Sequence, residues 1–281
     1  MAERGFVLRR HDFTPREVCM KILAFGEIIW DCFPKERTLG GAPLNFAAHA
    51  ARLGAESHLY SAVGKDDAET LRSVAQTGVR TDLIQRVPYP TGYTNITLDP
   101  YGNPTYEVIT DVAWDFIATS EIFPRQWDAV YYGTLAQRSP VSAATLRDIL
   151  RQVSAREYFC DLNLRHRFYD DGGIDFCLRN ATLVKVNRTE SAVLGGNVFD
   201  RYPHLKAVAV TLDADGAELW LPGGRVLHSH RPQNKVVSAV GAGDSFCAAF
   251  LVRWLDGRPA QECLEAGVCL SDEVVTHLGA L

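Results

Sequence analysis

Apolar and polar positions along this chain of 281 residues fall into two alternating periods. Short β-branched or aromatic runs at 21–25, 58–63, 129–133, 157–161, 183–186 and 207–212 read as buried strands. Between them lie helical stripes. In 43–53 the apolar residues stand at 44, 47, 48 and 51, with Pro43 near the start and Gly54 just past the end. Similar stripes cover 141–153, 246–255 and 260–270. Strand and helix in alternation predict an α/β fold, a mostly parallel sheet with helices on both faces. One stretch departs from the pattern: 93–98 and 105–110 alternate in Thr, Ile, Tyr and Val around Asp99-Pro100-Tyr101-Gly102-Asn103-Pro104, a hairpin signal. A ribbon inserted there is expected to project from the domain and to act as a lid.

The most informative chemistry stands near the C-terminus, where the β-prone run Lys235 to Val240 breaks into Gly241-Ala242-Gly243-Asp244 and an apolar helix follows. A strand that turns sharply into a helix leaves backbone N–H groups unpaired, and with the helix dipole these favour an anion. Glycine lets the backbone come close to phosphate oxygens. A carboxylate at Asp244 suits a proton acceptor for a hydroxyl attacking phosphate. The same residues also spell an ordinary tight turn and helix N-cap, and by themselves they leave both readings open.

Other polar groups follow predicted strands, where open α/β sheets place ligands. Gly26-Glu27-Ile28-Ile29-Trp30-Asp31 and Leu39-Gly40-Gly41-Ala42-Pro43-Leu44-Asn45 put a carboxylate, two glycines and an amide within one loop and helix start, a set that suits vicinal sugar hydroxyls or, alternatively, a capped helix. In Asp161-Leu162-Asn163-Leu164-Arg165 the alternation aims three polar groups to one side; Arg165 either neutralises a phosphate or makes a surface ion pair. Lys185, Asn187 and Glu190 offer charge for nucleotide phosphates and a hydrated magnesium ion. His228 and His230 share a strand face without a third ligand and read as a solvated face rather than a metal site.

Composition narrows the class. A net charge of -5 without a Lys/Arg-rich block argues against nucleic acid and membrane surfaces, leaving small molecules or protein as partners. Seven cysteines without a C-x-x-C pair, mostly in apolar runs, read as reduced residues of a cytoplasmic protein. No uncharged stretch approaches the roughly 18 residues of a membrane span. Residues 1–19 mix charges of both signs and read as a loose extension, an upstream start, ahead of a domain beginning at Met20.

Taken together, these elements resemble the ribokinase-like (PfkB-type) carbohydrate kinases, and among them bacterial fructokinases most closely. From about Lys21 to Ala280 the chain carries, in family order, Gly26-Glu27 with Trp30-Asp31, Gly40-Gly41-Ala42-Pro43 with Asn45, Ala50 to Gly54, Ala62-Val63-Gly64, Pro90-Thr91-Gly92, Gly133 to Arg138, Asp161 to Arg165, Lys185 with Asn187 and Glu190, and Gly241-Ala242-Gly243-Asp244. The resemblance implies a ribokinase-like three-layer αβα sandwich over 20–281 with a small β-sheet lid including about 88–112, and a possible homodimer through that lid. It implies ATP and Mg2+ as cofactors. Asp31, Gly40, Gly41, Asn45, Gln137 and Arg138 would bind the sugar. Gly241, Ala242 and Gly243 would form the anion hole, Asp244 would be the base, and Arg165 would lie near the site. Lys185, Asn187, Thr211 and Gly216 would line the nucleotide, and Glu190 would hold magnesium through water.

Departures qualify the resemblance. Ser238-Ala239 stand where the family usually has Asp-Thr, whose acid helps bind a monovalent cation, which puts K+ activation in doubt. Asp213 replaces a usual glycine of the nucleotide loop, Gly267 a common asparagine near the adenine, and the segments 66–77 and 194–202 are shorter than usual. The expected activity is ATP-dependent phosphorylation of D-fructose to fructose 6-phosphate. The alternatives are a kinase for ribose, a keto-deoxy sugar acid or a nucleoside, and a sugar-binding descendant with a worn nucleotide site.

Overall fold

Every residue of Ile22-Leu23-Ala24-Phe25 is apolar because this strand is covered on both sides. In the computed structural model Ile22 and Ala24 enter one hydrophobic core, and Leu23 and Phe25 enter another on the opposite face. The structure describes residues 20–32, 36–98, 104–120, 125–165, 167–232, 234–277 and 279–281. The expected extension 1–19 and the turn at 99–103 lie outside the described residues.

In chain order the strands are β1 (Lys21–Phe25), β2 (Ile29–Cys32), β3 (Arg37–Gly40), β4 (Glu56–Gly64), β5 (Ile84–Val87), β6 (Gly92–Leu98) and β7 (Pro104–Val108). They continue with β8 (Gln126–Gly133), β9 (Ser154–Asp161), β10 (Leu183–Asn187), β11 (Ala207–Thr211), β12 (Ala217–Leu221) and β13 (Arg225–Ser229). The helices are α1 (Ala42–Arg52), α2 (Ala68–Gln76), α3 (Pro140–Gln152), α4 (Asp171–Asn180), α5 (Ser191–Leu194), α6 (Val198–Arg201), α7 (Ala242–Leu255) and α8 (Ala260–Val274).

Nine strands form one sheet in the order β13-β12-β11-β10-β9-β8-β1-β4-β5. From β11 to β5 all neighbours are parallel, and β12 and β13 return antiparallel at one edge. Helices α1, α7 and α8 supply one core, and α3 and α4 the other. The fold is thus a large central sheet between helical layers. Between β1 and β8 the strand order reverses, since β4 and β5 lie to one side and β9 to β11 to the other. Loops leaving β1 and β8 therefore diverge above the sheet, and a crevice opens there.

A second sheet of four strands has the order β3-β2-β6-β7. Sequence periodicity identified β6 and β7 but not β2 and β3, whose four residues each mix Trp30 with Asp31 and Leu39 with Arg37 and Thr38. The expected antiparallel ribbon is in fact a mixed sheet, because β2 pairs with β6 in parallel. Arg37 lies over the Trp30 ring at 4.3 Å, a contact made by folding β3 back on β2. Among the described residues no helix is long and apolar enough to cross a membrane.

The end of the chain is tied to the first helix. His49 of α1, 3% exposed, stands 2.8 Å by Nε2 from the carbonyl oxygen of Ala280. Burial pushes its pKa down to about 4, so the folded state holds it neutral, with Nε2–H donating. Unfolding restores the ordinary value near 6.5, so this contribution is present above about pH 6.5 and is lost as pH falls toward 4, about 3 kcal/mol in all. His49→Gln, which keeps a donor without a titrating ring, is expected to show less acid destabilisation than the unaltered chain. Thermal unfolding of both between pH 7 and pH 4.5 checks this; parallel curves would mean that His49 is not held neutral.

Candidate active site

The phosphate-cradle geometry begins at Gly241, the N-cap of α7, in the left-handed conformation at φ 80°. The C-terminal residues run directly against it: a Cβ at this position would lie 2.4 Å from Ala280 Cβ. Only glycine fits the conformation and the approach together. The first-turn N–H groups of α7 have no partner within the helix; that of Ala242 turns back to the Ala239 carbonyl at 3.3 Å.

Asp244 sits in that first turn with 9% of its surface exposed. Its Oδ2 accepts a hydrogen bond of 2.8 Å from Asn45 Nδ2 on α1. Burial pushes its pKa up to about 6. The Asn45 bond, Lys185 and Arg165 work against the rise, and Asp161 adds to it. A carboxylate of this kind is ionised at neutral pH yet basic enough to take a proton.

Beneath the turn lies Lys185 of β10, whose Nζ is 3.0 Å from where a Cβ on Gly243 would stand. It bridges to Asp161, the last residue of β9, at 3.2 and 3.3 Å, and both side chains are buried. Tyr131 Oη donates to the same carboxylate at 3.4 Å, and its ring stacks on Phe46 with centroids 3.8 Å apart. Burial opposes the charge on Lys185, but the carboxylates of Asp161, Glu190 and Asp244 outweigh it and hold the pKa above the ordinary lysine range. Lys185 thus places a permanent positive charge under the anion cradle rather than on the surface.

On the lid side, Asp31 of β2 and Asn45 meet at Gly40. A Cβ there would be 3.4 Å from Asp31 Oδ2 and 3.8 Å from Asn45 Oδ1. Asn45 Oδ1 is buried without a partner, an acceptor available to a ligand hydroxyl. Burial raises the Asp31 carboxyl to about 6 against the pull of Arg165. Arg165 itself is exposed in the loop after β9, and its charge reaches Glu27, Asp31 and Asp244. Gly41 follows with φ 108°, its backbone so near the preceding loop that a Cβ would lie 2.5 Å from the Glu27 carbonyl oxygen.

The expected nucleotide residues divide in two. Glu190 is buried and fully engaged: Oε1 accepts from Leu164 N and Oε2 from Asn187 N, each at 2.8 Å, while Glu190 N donates to Asn187 Oδ1 at 2.8 Å. This brace joins the loops after β9 and β10. Thr211 Oγ1 reaches back to the Val186 carbonyl at 3.4 Å. Gly216 is required by packing, since a Cβ would strike the Ser229 carbonyl oxygen at 2.0 Å. Asp213 keeps a positive φ of 55° without being glycine, so the loop conformation survives the substitution at the expense of some backbone strain. At Gly267 a Cβ would lie 2.7 Å from the Phe246 ring, so α8 presses on α7 where an asparagine would need room.

Gln137 and Arg138, the expected sugar contacts, are partly held by the protein itself, and Gln137 Oε1 and Arg138 Nη1 stay buried without a partner. Gln137 Nε2 donates to the Gly133 carbonyl at 2.8 Å and to Cys177 Sγ at 3.0 Å. Arg138 makes a two-pronged ion pair with Asp115 at 2.8 and 2.9 Å and donates to the Ile109 carbonyl at 2.6 Å. Its guanidinium also lies 3.8 Å from the Trp114 ring centroid and 4.8 Å from that of Phe168, with 5% of the side chain exposed. Through Nε and Nη2 it fastens the end of the lid to the body, while Nη1 stays buried without a partner. Sequence reasoning quoted Glu27 and Asp161 within their motifs but gave neither a role in the site. Asp161 ends a strand at the crevice, and Glu27 stands two residues past one.

Lys185→Met leaves Asp161 as an unpaired buried carboxylate and is expected to lower the unfolding free energy by about 3–5 kcal/mol in a urea titration. Adding Asp161→Leu should recover most of the loss. An equal loss in the double variant would mean that the ion pair is not what holds this region.

Comparison with known proteins agrees with this geometry. A family model described as "pfkB family carbohydrate kinase" matches residues 17–281. An uncharacterized sugar kinase of Archaeoglobus fulgidus is 26% identical, over 82% of this chain and 95% of its own length. Aminoimidazole riboside kinase of Salmonella typhimurium is 28% identical over 82% of this chain and 80% of its own. The crystal structure of fructokinase from Vibrio cholerae O395 with fructose, ADP and calcium bound superposes with a TM-score of 0.81 at 20% identity, covering 93% of this chain and 94% of that one.

Proposed function

The chain belongs to the pfkB family of carbohydrate kinases, and we propose that it transfers the γ-phosphoryl group of ATP to the terminal hydroxyl of D-fructose, giving fructose 6-phosphate. The observation that carries this reading is the Asn45–Asp244 hydrogen bond, which aims a buried carboxylate of pKa about 6 beside the Gly241–Gly243 turn.

In this mechanism Asp31 and Asn45 orient the sugar, and Asp244 Oδ takes the proton of its hydroxyl. The amides of Gly241 and Gly243 hold the phosphoryl oxygens, and Lys185 beneath them offsets the accumulating negative charge. Arg165 at the mouth faces the same phosphates. For magnesium the donor set fits an ion carried on the nucleotide. Among the described residues no three His, Cys, Asp or Glu side chains are placed to hold a metal ion, and Glu190, with an amide on each oxygen, keeps lone pairs only for a bridging water. When bound, that ion neutralises phosphate charge. Closure of the small sheet would exclude water as a competing acceptor.

A neutral acceptor suits the charges. Glu27, Asp31 and Asp244 gather three carboxyls, while Arg138 is paired with Asp115 and the charge of Arg165 reaches all three. A phosphate or carboxylate on the sugar would add negative charge beside them, which disfavours a keto-deoxy sugar acid. Ribose and nucleosides remain neutral competitors. The structural neighbour that binds fructose and ADP supports the choice of fructose. Asp213 holding φ 55° argues against a worn nucleotide loop.

The test follows ADP release from Mg-ATP with fructose, ribose, glucose, 2-dehydro-3-deoxygluconate and adenosine. Turnover is expected on fructose, and Asp244→Ala should lower kcat by on the order of 10²–10⁴. Because the base must be ionised, kcat/KM should fall about tenfold per pH unit below about 6. Preference for the sugar acid would overturn the neutral acceptor, and silence on every acceptor would overturn the kinase reading.

Potassium should not matter. Ser238 brings no carboxylate to the loop before Gly241, and its hydroxyl instead accepts the Val240 N–H at 3.2 Å. Initial rates in potassium and sodium chloride at equal ionic strength are expected to agree; a clear potassium preference would show a cation site built from other groups.

A further inference from the structure

Glu27 is the acidic group that the phosphoryl-transfer scheme leaves without a task. It lies between β1 and β2, where the chain leaves the large sheet for the small one, and only 4% of it is exposed. Its carboxyl lies beside the backbone N–H of Ala42, the first residue of α1, and beside its own, and both amides favour its charged form. Helix α1 has no side-chain cap of its own, because Gly41 stands at the N-cap. The two segments touch closely: a Cβ on Gly41 would stand 3.4 Å from Glu27 Cγ. A carboxylate in this place satisfies an orphan donor and complements the positive end of the helix.

One turn into the same helix stands Asn45, whose N–H donates to the Gly41 carbonyl at 2.9 Å and whose Nδ2 donates to Asp244 at 2.8 Å. Resting on the kinase reading, we propose that Glu27 is a positioning residue: it caps helix α1 from the lid crossing and, through Asn45, holds the aim of Asp244. The route is continuous, running from the Glu27 carboxyl to the Ala42 amide, the first turn of α1, the Asn45 side chain and the Asp244 carboxyl.

The charges facing Glu27 agree with this task. Burial pushes its carboxyl up to about 7, Asp244 on α7 raises it further, and Arg165 after β9 pulls it down, as do the Ala42 and Glu27 amides. The cap therefore gains or loses a charge near neutral pH. The ionised form bonds the Ala42 amide more strongly than the neutral one.

Two glutamate variants separate positioning from packing. Glu27→Gln keeps the size and an oxygen acceptor for Ala42 but no longer titrates; Glu27→Ala removes the acceptor. Glu27→Ala is expected to lower kcat by up to about 10²-fold while KM for ATP stays unchanged. Glu27→Gln should restore most of that rate and lack any inflection of the rate profile near pH 7. A structural role alone would lower the unfolding temperature of Glu27→Ala and leave kcat in place, which would overturn the proposal.

A readout without turnover is the pH titration of the Ala42 amide and Asn45 side-chain amide signals by ¹H–¹⁵N NMR on the full chain. Both should follow a midpoint near 7 that disappears in Glu27→Gln, leaving on Asn45 only the titration of its partner Asp244 near 6. An Asn45 signal with the same titration in both proteins would overturn the proposal even if the kinase is active. A shared midpoint in a chain that phosphorylates no acceptor would uphold the Glu27 linkage and sink the kinase reading instead. Should Glu27→Ala fail to fold, the Glu27→Gln titration decides by itself.

Discussion

The hydrogen bond from Asn45 Nδ2 to Asp244 Oδ2 spans 199 positions of sequence and joins the helix behind the lid strands to the helix that opens at the phosphate cradle. Both partners are buried, with Asn45 at 4% and Asp244 at 9% exposure. A hydrogen bond to an ionised acceptor in such a place contributes more than a surface one, about 1.5–3 kcal/mol. It also offsets part of the desolvation that drives the Asp244 pKa upward. Acceptor side and donor side of the crevice are set relative to each other by this contact. The reversal of strand order between β1 and β8 puts α1 and α7 where they can make it.

Around that contact the charges are deliberately unequal in their compensation. Lys185 and Asp161 form a closed pair under the cradle, further bonded to Tyr131, and stay ionised together. Glu27, Asp31 and Asp244 are desolvated carboxyls with only partial counter-charge from Arg165. Their raised pKa values mean that ionising them works against folding at neutral pH. Such destabilised groups in a crevice are characteristic of sites shaped for chemistry rather than for stability. The amide-held Glu190 shows the opposite design: a carboxylate with both oxygens satisfied, bracing two loops.

The small sheet is anchored to the body through equally specific contacts. Its strand β2 is entered through Glu27, whose carboxyl meets α1. The chain leaving β7 is gripped at the Ile109 carbonyl by Arg138, which is held by Asp115 and by the Trp114 and Phe168 rings. Any movement of this sheet over the crevice bears on those attachments and on the crossings from β3 into α1 and from β5 into β6.

Much of this architecture was legible in the chain. Continuous apolar runs located most strands of the large sheet, because strands covered on both faces have few polar positions to interrupt them. The turn Gly241-Ala242-Gly243-Asp244 was legible because backbone conformation there depends on glycine itself. Strands β2 and β3 escaped, since four residues facing a half-open lid carry no clear alternation. The pairing of Arg138 with Asp115 was not legible, because a basic residue after a strand looks the same in sequence whether it meets a substrate or an aspartate. Residue types and their order determined the layered α/β class, the anion cradle and the acid beside it. Only the tertiary structure decided which charges are paired, that Lys185 lies under Gly243 and that Glu27 adjoins Asp244, because burial and partner distance are properties of segments brought together from far apart.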